Sequence, residues 1–178
     1  MASDNFNRAN ADPIGAPWAG WGSFATCEIE SNAVRNSAHA DGDAGMLYSS
    51  SNVPDSQLDY VSGTADGGPA IHCAAGPDGY LETNYDATSL MVYRLDDGGF
   101  TFLGQVAGVY TAGQPNRMRR SGNNIIASKN GADVVTVTDT TYTGTSGSPG
   151  FFSYAGTLIQ DNWTDGIAGD DLFAQVLT

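Results

Sequence analysis

The chain has 178 residues, enough for one well-buried core and too few for two comfortable ones, so a single domain is expected. Twenty acidic residues against seven basic ones leave a net charge of −13, which repels nucleic-acid phosphates and anionic membranes and argues against both as partners. Charged residues make up only 15% while glycine supplies 23 positions, a balance that suits many short strands and turns and little helix.

The opening Met-Ala-Ser-Asp has neither a basic n-region nor an apolar h-region, and no apolar run approaches the roughly 20 residues of a membrane span. Cytoplasmic synthesis as a soluble product without a signal peptide is the expectation. SDNFNRANADPIGAPWAGWG is an extended piece with turn formers at Pro13, Gly15 and Pro17, expected to cap the fold. FATCEIE and NAVRNS read as two strands about a tight turn at Ser31-Asn32, with Cys27 and Ile29 facing inward. HADGDAG and SSNVPDS are loops by composition and flank a short strand in GMLYSS; QLDYVSGTA and the apolar PAIHCAA follow as strands. GYLETNY and SLMVYRL form a hairpin across Asp86-Ala87, and LDDGGF turns into FTFLGQV.

From Gly98 to Gly166 the chain reads as five closely spaced strands: GGFTFLGQ, NRMRRSG, NNIIASKNG, ADVVTVTD and GSPGFFSY continuing into GTLIQDNWTDG. Asn130-Gly131 is the strongest hairpin signal, since both residues tolerate positive φ. Val135 and Val137 on one face against Thr136 and Thr138 on the other predict a sheet with one wet side. The fold class is therefore all-β, a two-sheet antiparallel sandwich over residues 1–166. Residues 167–178, with Leu172, Phe173, Val176 and Leu177 apolar, form a tail that is either an edge strand or a docking arm.

Few residues suggest chemistry. Cys27 and Cys73 are too few and too far apart for a zinc framework, and His39 and His72 are not at ligand spacings from them; they read as two buried thiols, with a cross-strand disulfide as the alternative. Arg117, Arg119, Arg120 and Lys129 cluster in one window, either as solvated cations or as a stripe facing an acidic neighbour or phosphate. GTSGSPG lacks the strand–turn–helix setting of a nucleophile elbow, which leaves Ser146 and Ser148 as turn residues.

Three segments, DNFNRANADPIGAPW, GYLETNYDATSLMVYRLDDGGFTFLGQ and RMRRSGNNIIASKNGADVVTVTDTTYTGTSGSPGFFS…LIQDNW, together resemble the concanavalin A-like, or laminin-G-like, jelly-roll modules of bacterial and phage surface proteins. The resemblance implies that the first strand lies beside the last, with Phe6 and Trp163 in the core there, and that Gly147, Pro149 and Gly150 begin a tightly packed strand. Many relatives hold a structural Ca²⁺; the matching residues are Asp161 with backbone carbonyls near Asp4 to Phe6 and at Asn32. Glycoside hydrolases of this fold carry paired carboxylates about 5–5.5 Å apart for retention. Here Glu28 and Glu30 share a strand face but lie too early, and Glu82 and Asp86 lack the spacing, so no enzyme is expected.

Two functions are then compared. One is a non-enzymatic display protein of a virion, a capsid decoration or tail-fibre subunit that assembles with other subunits, is homo-oligomeric, and ends on the virion surface or outside the cell. The alternative is a carbohydrate-binding, lectin-like module of a bacterial polysaccharide-binding system. In either, Trp18, Trp21, Tyr48, Tyr85 and Tyr110 in or beside loops are the candidates for stacking on host or other glycans.

Overall fold

The computed structural model describes residues 2–37, 42–53, 55–60, 67–74, 76, 78–83, 88–108, 114–142, 147–154 and 160–165, with backbone alone for 58–60 and 160–161. Every regular element among them is a strand. In chain order these are β1 Ser3–Asp4, β2 Trp18–Gly20, β3 Cys27–Glu30, β4 Ala33–Asn36 and β5 Ala44–Tyr48. Then come β6 Asp55–Tyr60, β7 Gly67–Cys73, β8 Gly79–Thr83, β9 Ser89–Asp96 and β10 Gly99–Ala107. The last are β11 Pro115–Ser121, β12 Asn124–Lys129, β13 Ala132–Thr138, β14 Ser148–Ser153 and β15 Gln160–Thr164.

They form two antiparallel sheets. The first runs β13-β12-β11-β6-β15-β4-β3, with β1 also paired to β15, and the second runs β10-β9-β8-β7-β14-β5-β2. The first strand thus lies beside the last, in the register Ser3 to Thr164 and Asp4 to Trp163. The expected hairpins hold where turn residues can take positive φ: Ser31 and Asn32 at 53° and 63°, Asp97 and Gly98 at 50° and 80°, Asn130 and Gly131 at 49° and 80°. The Asp86-Ala87 turn and the 167–178 tail fall outside the described residues.

One expectation is corrected. The fifth strand of the Gly98–Gly166 run is two strands in different sheets: β14 pairs with β5 and β7 in the second sheet, β15 with β1, β4 and β6 in the first. What holds β14 between its neighbours is the small-residue stretch that begins it. A Cβ on Gly150 would stand 2.2 Å from the Met46 carbonyl oxygen, and one on Gly147, whose φ is 84°, would stand 2.5 Å from that of His72.

The space between the sheets is filled in two halves. Ile71, Tyr80 and Val92 from the second sheet meet Met118, Ile125 and Val135 from the first. Phe6, Trp18, Ile29, Met46, Phe151 and Trp163 pack the other half, with the Trp18 and Trp163 rings 4.6 Å apart at 71°. A third apolar cluster lies on the far side of the second sheet, where Trp21, Leu81, Leu95 and Phe152 gather. β7 supplies both sides out of step: Ile71 faces the inter-sheet core, while Cys73, two residues on, faces outward. Positive φ at His72, 57°, and the register shift against β14 produce this flip.

Candidate functional site

Two sheets need only one shared interior, so an aromatic cluster on the outer face of one of them requires its own account. The second sheet builds it by alternation. Along β9, Leu90 and Val92 point into the core and Tyr93 and Leu95 point out; across the ladder Phe100 pairs with Leu95 and Phe102 with Tyr93, so three rings share the outward face. On β14, Phe151 points in and Phe152 out. Phe152 is flanked by Gly45 on β5 and Gly68 on β7, which add no side chains beside it.

A short loop folds over this face. Trp21 N–H donates to the Gly45 carbonyl at 3.0 Å, Gly45 N–H to that of Ala25 at 3.0 Å, and the Trp21 indole N–H to that of Asp78 at 3.1 Å. Gly45 fits closely there: a Cβ would sit 3.0 Å from the Trp21 ring and 3.2 Å from the Phe24 ring, so those rings would have to give way to any larger residue. The rings then form a chain of edge and tilted contacts: Trp21 to Phe24 at 5.5 Å, Phe24 to Phe152 at 5.8 Å, Phe152 to Phe100 at 6.1 Å, Phe100 to Tyr93 at 6.0 Å, Tyr93 to Phe102 at 5.6 Å. At its inner end the chain is buried. At its outer end Phe100 is 43% and Phe102 52% exposed.

Between them lies a groove of about 220 Å³ lined by Asp43, Thr83, Tyr93, Phe100, Phe152 and Tyr154. Asp43 directly precedes β5, and Tyr154 directly follows β14; the Gly42 N–H, donating to the Tyr154 carbonyl at 3.0 Å, brings the two together. Asp43 is partly buried, and among the described residues its carboxylate meets neither a cation nor a hydrogen-bond donor. Burial pushes its proton affinity up. Partly exposed rings beside a few polar groups in a concave site are what sugar faces and hydroxyls bind.

The aromatic candidates from the sequence lie elsewhere or deeper. Trp18, 5% exposed, is a core ring whose indole N–H donates to Asp4 Oδ2 at 2.8 Å. Tyr48, half-buried, stacks on Trp163 at 4.8 Å in that same half of the core. Trp21 is fully buried and underlies the outer-face cluster without lining the groove. None of the three therefore displays its ring as expected, because each is large enough to be worth more packed than presented. Tyr85 and Tyr110 lie outside the described residues, as do His39 and Ser146. A signal for the groove was present in GGFTFLGQ: aromatics at i and i+2 on one strand share a face, and Phe100 and Phe102 do so here.

The other candidate groups are committed to structure. Glu28 and Glu30 both pair with Arg35, the first at 2.7 Å. Glu82 is fully buried on β8, two residues from inward-facing Tyr80, and so lies away from the groove. Ser148 is a buried strand residue. Two arginines of the basic window face acidic neighbours, one of the two expected arrangements: Arg117 pairs with Asp55 and Arg119 with Asp133 at 2.9 Å, while Arg120 donates to the carbonyls of Gly122, Asp139 and Tyr142. Both cysteines are free thiols and buried, and the second sheet lies between them.

For the cation, the register sets Asp161 one residue beyond the Gln160–Val34 pair, toward the Ser31-Asn32 turn, and two residues before Trp163, which pairs with Asp4. The Asp4 carboxylate is occupied by the Trp18 indole, the Phe6 N–H and Arg8. Asn32 is exposed. Among the described residues no group of three acidic, histidine or cysteine side chains forms, so a cation there would depend on carbonyl oxygens and Asp161.

No family profile matches the sequence, and no curated protein matches it. Solved structures do. The carbohydrate-binding module CBM66 from Bacillus subtilis superposes with a TM-score of 0.60 at 14% identity, over 82% of this chain and 91% of that one. A Bacillus subtilis protein of unknown function with a galectin-like fold gives 0.53 at 12% identity, over 84% and 87%. The apo Crh5 transglycosylase gives 0.51 at 12% identity, over 97% of this chain and 74% of that one. The fold is the concanavalin A-like jelly roll that the sequence resembles.

Proposed function

We propose that the protein is a non-catalytic glycan-binding module that holds sugar rings in the groove on the outer face of the second sheet. The observation carrying this is the row of rings from buried Phe152 to exposed Phe100 and Phe102, with half-buried Tyr93 between those two and Asp43 and Thr83 at its border. A carbohydrate-binding module among the similar structures supports the same reading, and no feature of the fold or groove favours a virion subunit over it. Binding is favoured over hydrolysis because Asp43 is the one carboxylate among the described lining residues, whereas either stereochemical course of glycoside hydrolysis ordinarily uses two. Glycan-array screening followed by calorimetry tests this: Tyr93→Ala and Phe100→Ala should each weaken the best glycan about tenfold, as loss of one stacking ring does. Unchanged affinity in both variants would refute the site.

We also propose a structural Ca²⁺ held by Asp161 with backbone carbonyls of the Asp4–Phe6 stretch and Asn32. Supporting it are the register that brings these three stretches together and the demand of a hard cation for several oxygens. Chelation followed by Ca²⁺ addition should lower and then restore the melting temperature, with no such response to Mg²⁺. A flat response to chelation and to Ca²⁺ would dispose of the site.

A further inference from the structure

We infer that the groove selects glycans bearing a protonated amine, with Asp43 as the counter-charge, an inference that rests on the glycan-binding reading above and names its ligand class. Of the six described lining residues four are aromatic, and their polar groups are one carboxylate, the Thr83 hydroxyl and two phenols; the Tyr93 phenol lies 3.3 Å from the Met91 sulfur. A neutral sugar brings no charge to the Asp43 carboxylate, whereas an amino sugar keeps nearly the same hydroxyls and adds one group that a carboxylate binds strongly. Anionic sugars fare worse, since none of the described lining residues is a lysine, arginine or histidine and Asp43 would repel them.

An ammonium group meets the opposite situation. Ring quadrupoles attract cations, increasingly so as water is excluded, and a partly buried carboxylate without a cation beside it is left costly until one arrives. Among the described residues the arginines are committed elsewhere: Arg8, Arg35, Arg94, Arg117 and Arg119 are each paired to other carboxylates, and Arg120 donates to backbone carbonyls, while Lys129 ends β12 in the other sheet. The net charge of −13 further concentrates cationic ligands near the surface.

The test compares three short ligands by calorimetry on the full chain: the glucosamine trimer, the N-acetylglucosamine trimer and the glucose trimer. The amine-bearing trimer is expected to bind about tenfold tighter than the other two, the scale of a desolvated cation–aromatic contact. Asp43→Asn, checked for folding by circular dichroism, should abolish that preference. Should the variant fail to fold, the ranking of the amine against its N-acetyl counterpart on the wild-type chain decides. Equal or tighter binding of the acetylated trimer, or a preference that survives Asp43→Asn and so reflects diffuse charge, overturns the inference while leaving glycan binding in place. Failure of every trimer and every arrayed glycan to bind overturns both.

Discussion

Substitution of Asp139 by asparagine should expose how one end of the sandwich is tied together. Asp139, 8% exposed, follows β13; its Oδ1 accepts from the Tyr80 hydroxyl at 2.8 Å and from the Thr141 N–H at 2.8 Å, and its Oδ2 from Arg94 at 2.6 Å. Burial alone would raise this carboxyl, but the hydrogen bonds from Thr141, Tyr80 and Arg94 outweigh it and hold the group down at about 2, against an ordinary 3.8. At 1.36 kcal/mol for each tenfold in proton affinity, the ionised carboxylate contributes about 2 kcal/mol of stability. Because the folded value is the lower one, that contribution is complete above about pH 4 and is lost as pH falls toward 2. Asp139→Asn should therefore cost about 2 kcal/mol at pH 7 and almost nothing at pH 2. The larger penalty of an abandoned buried charge is avoided, because Arg94 keeps Asp96, with Nε to Oδ2 at 2.8 Å. Urea unfolding of both proteins at pH 7, 4, 3 and 2 measures the difference directly. A gap that stays constant across this range would refute the attribution to charge.

Gly150→Ala should destabilise by about 3 kcal/mol, since its Cβ meets the β5 backbone at 2.2 Å and one of the two paired strands must move; Gly15→Ala, with nothing within 4 Å, should be neutral in the same thermal melts. Asp43→Asn should act in the other direction. With its proton affinity raised by burial, ionised Asp43 is a cost that vanishes below its unfolded value and grows as pH rises through the folded one. The variant should thus melt higher than wild type at pH 7, with the gap closing in acid. A lower melting temperature at pH 7 would show that Asp43 has a stabilising partner.

Strands and hairpins were legible because their signals are local. Ser31-Asn32 and Asn130-Gly131 turn where positive φ is cheap, and Val135 and Val137 alternate with Thr136 and Thr138 as a half-buried strand must. Sheet membership was not, since β14 and β15 are short and follow one another in the chain, and only partners distant in sequence separate them. The flip at His72 was invisible for a similar reason, as all seven residues of β7 are buried and no alternation marks the bulge. Composition misled at the site. Trp18 and Trp21 stand among turn formers and read as displayed, whereas Asp4 and the Asp78 carbonyl satisfy their indoles and let both rings be buried. The groove residues come from strands whose two faces are both apolar, Tyr93 beside core-facing Val92 and Phe152 beside core-facing Phe151, so no alternation marks the outward ring.

The placement of the two thiols has a practical consequence. Cys27 sits in the half of the core holding Phe6 and Trp163, Cys73 beneath Trp21 and Phe152, and burial makes each hard to ionise. A thiol-specific label can reach either sulfur only when its own surroundings part. Timing the two modifications by peptide mass would then distinguish breathing of the outer aromatic face from separation of the sheets, in a chain without substitutions.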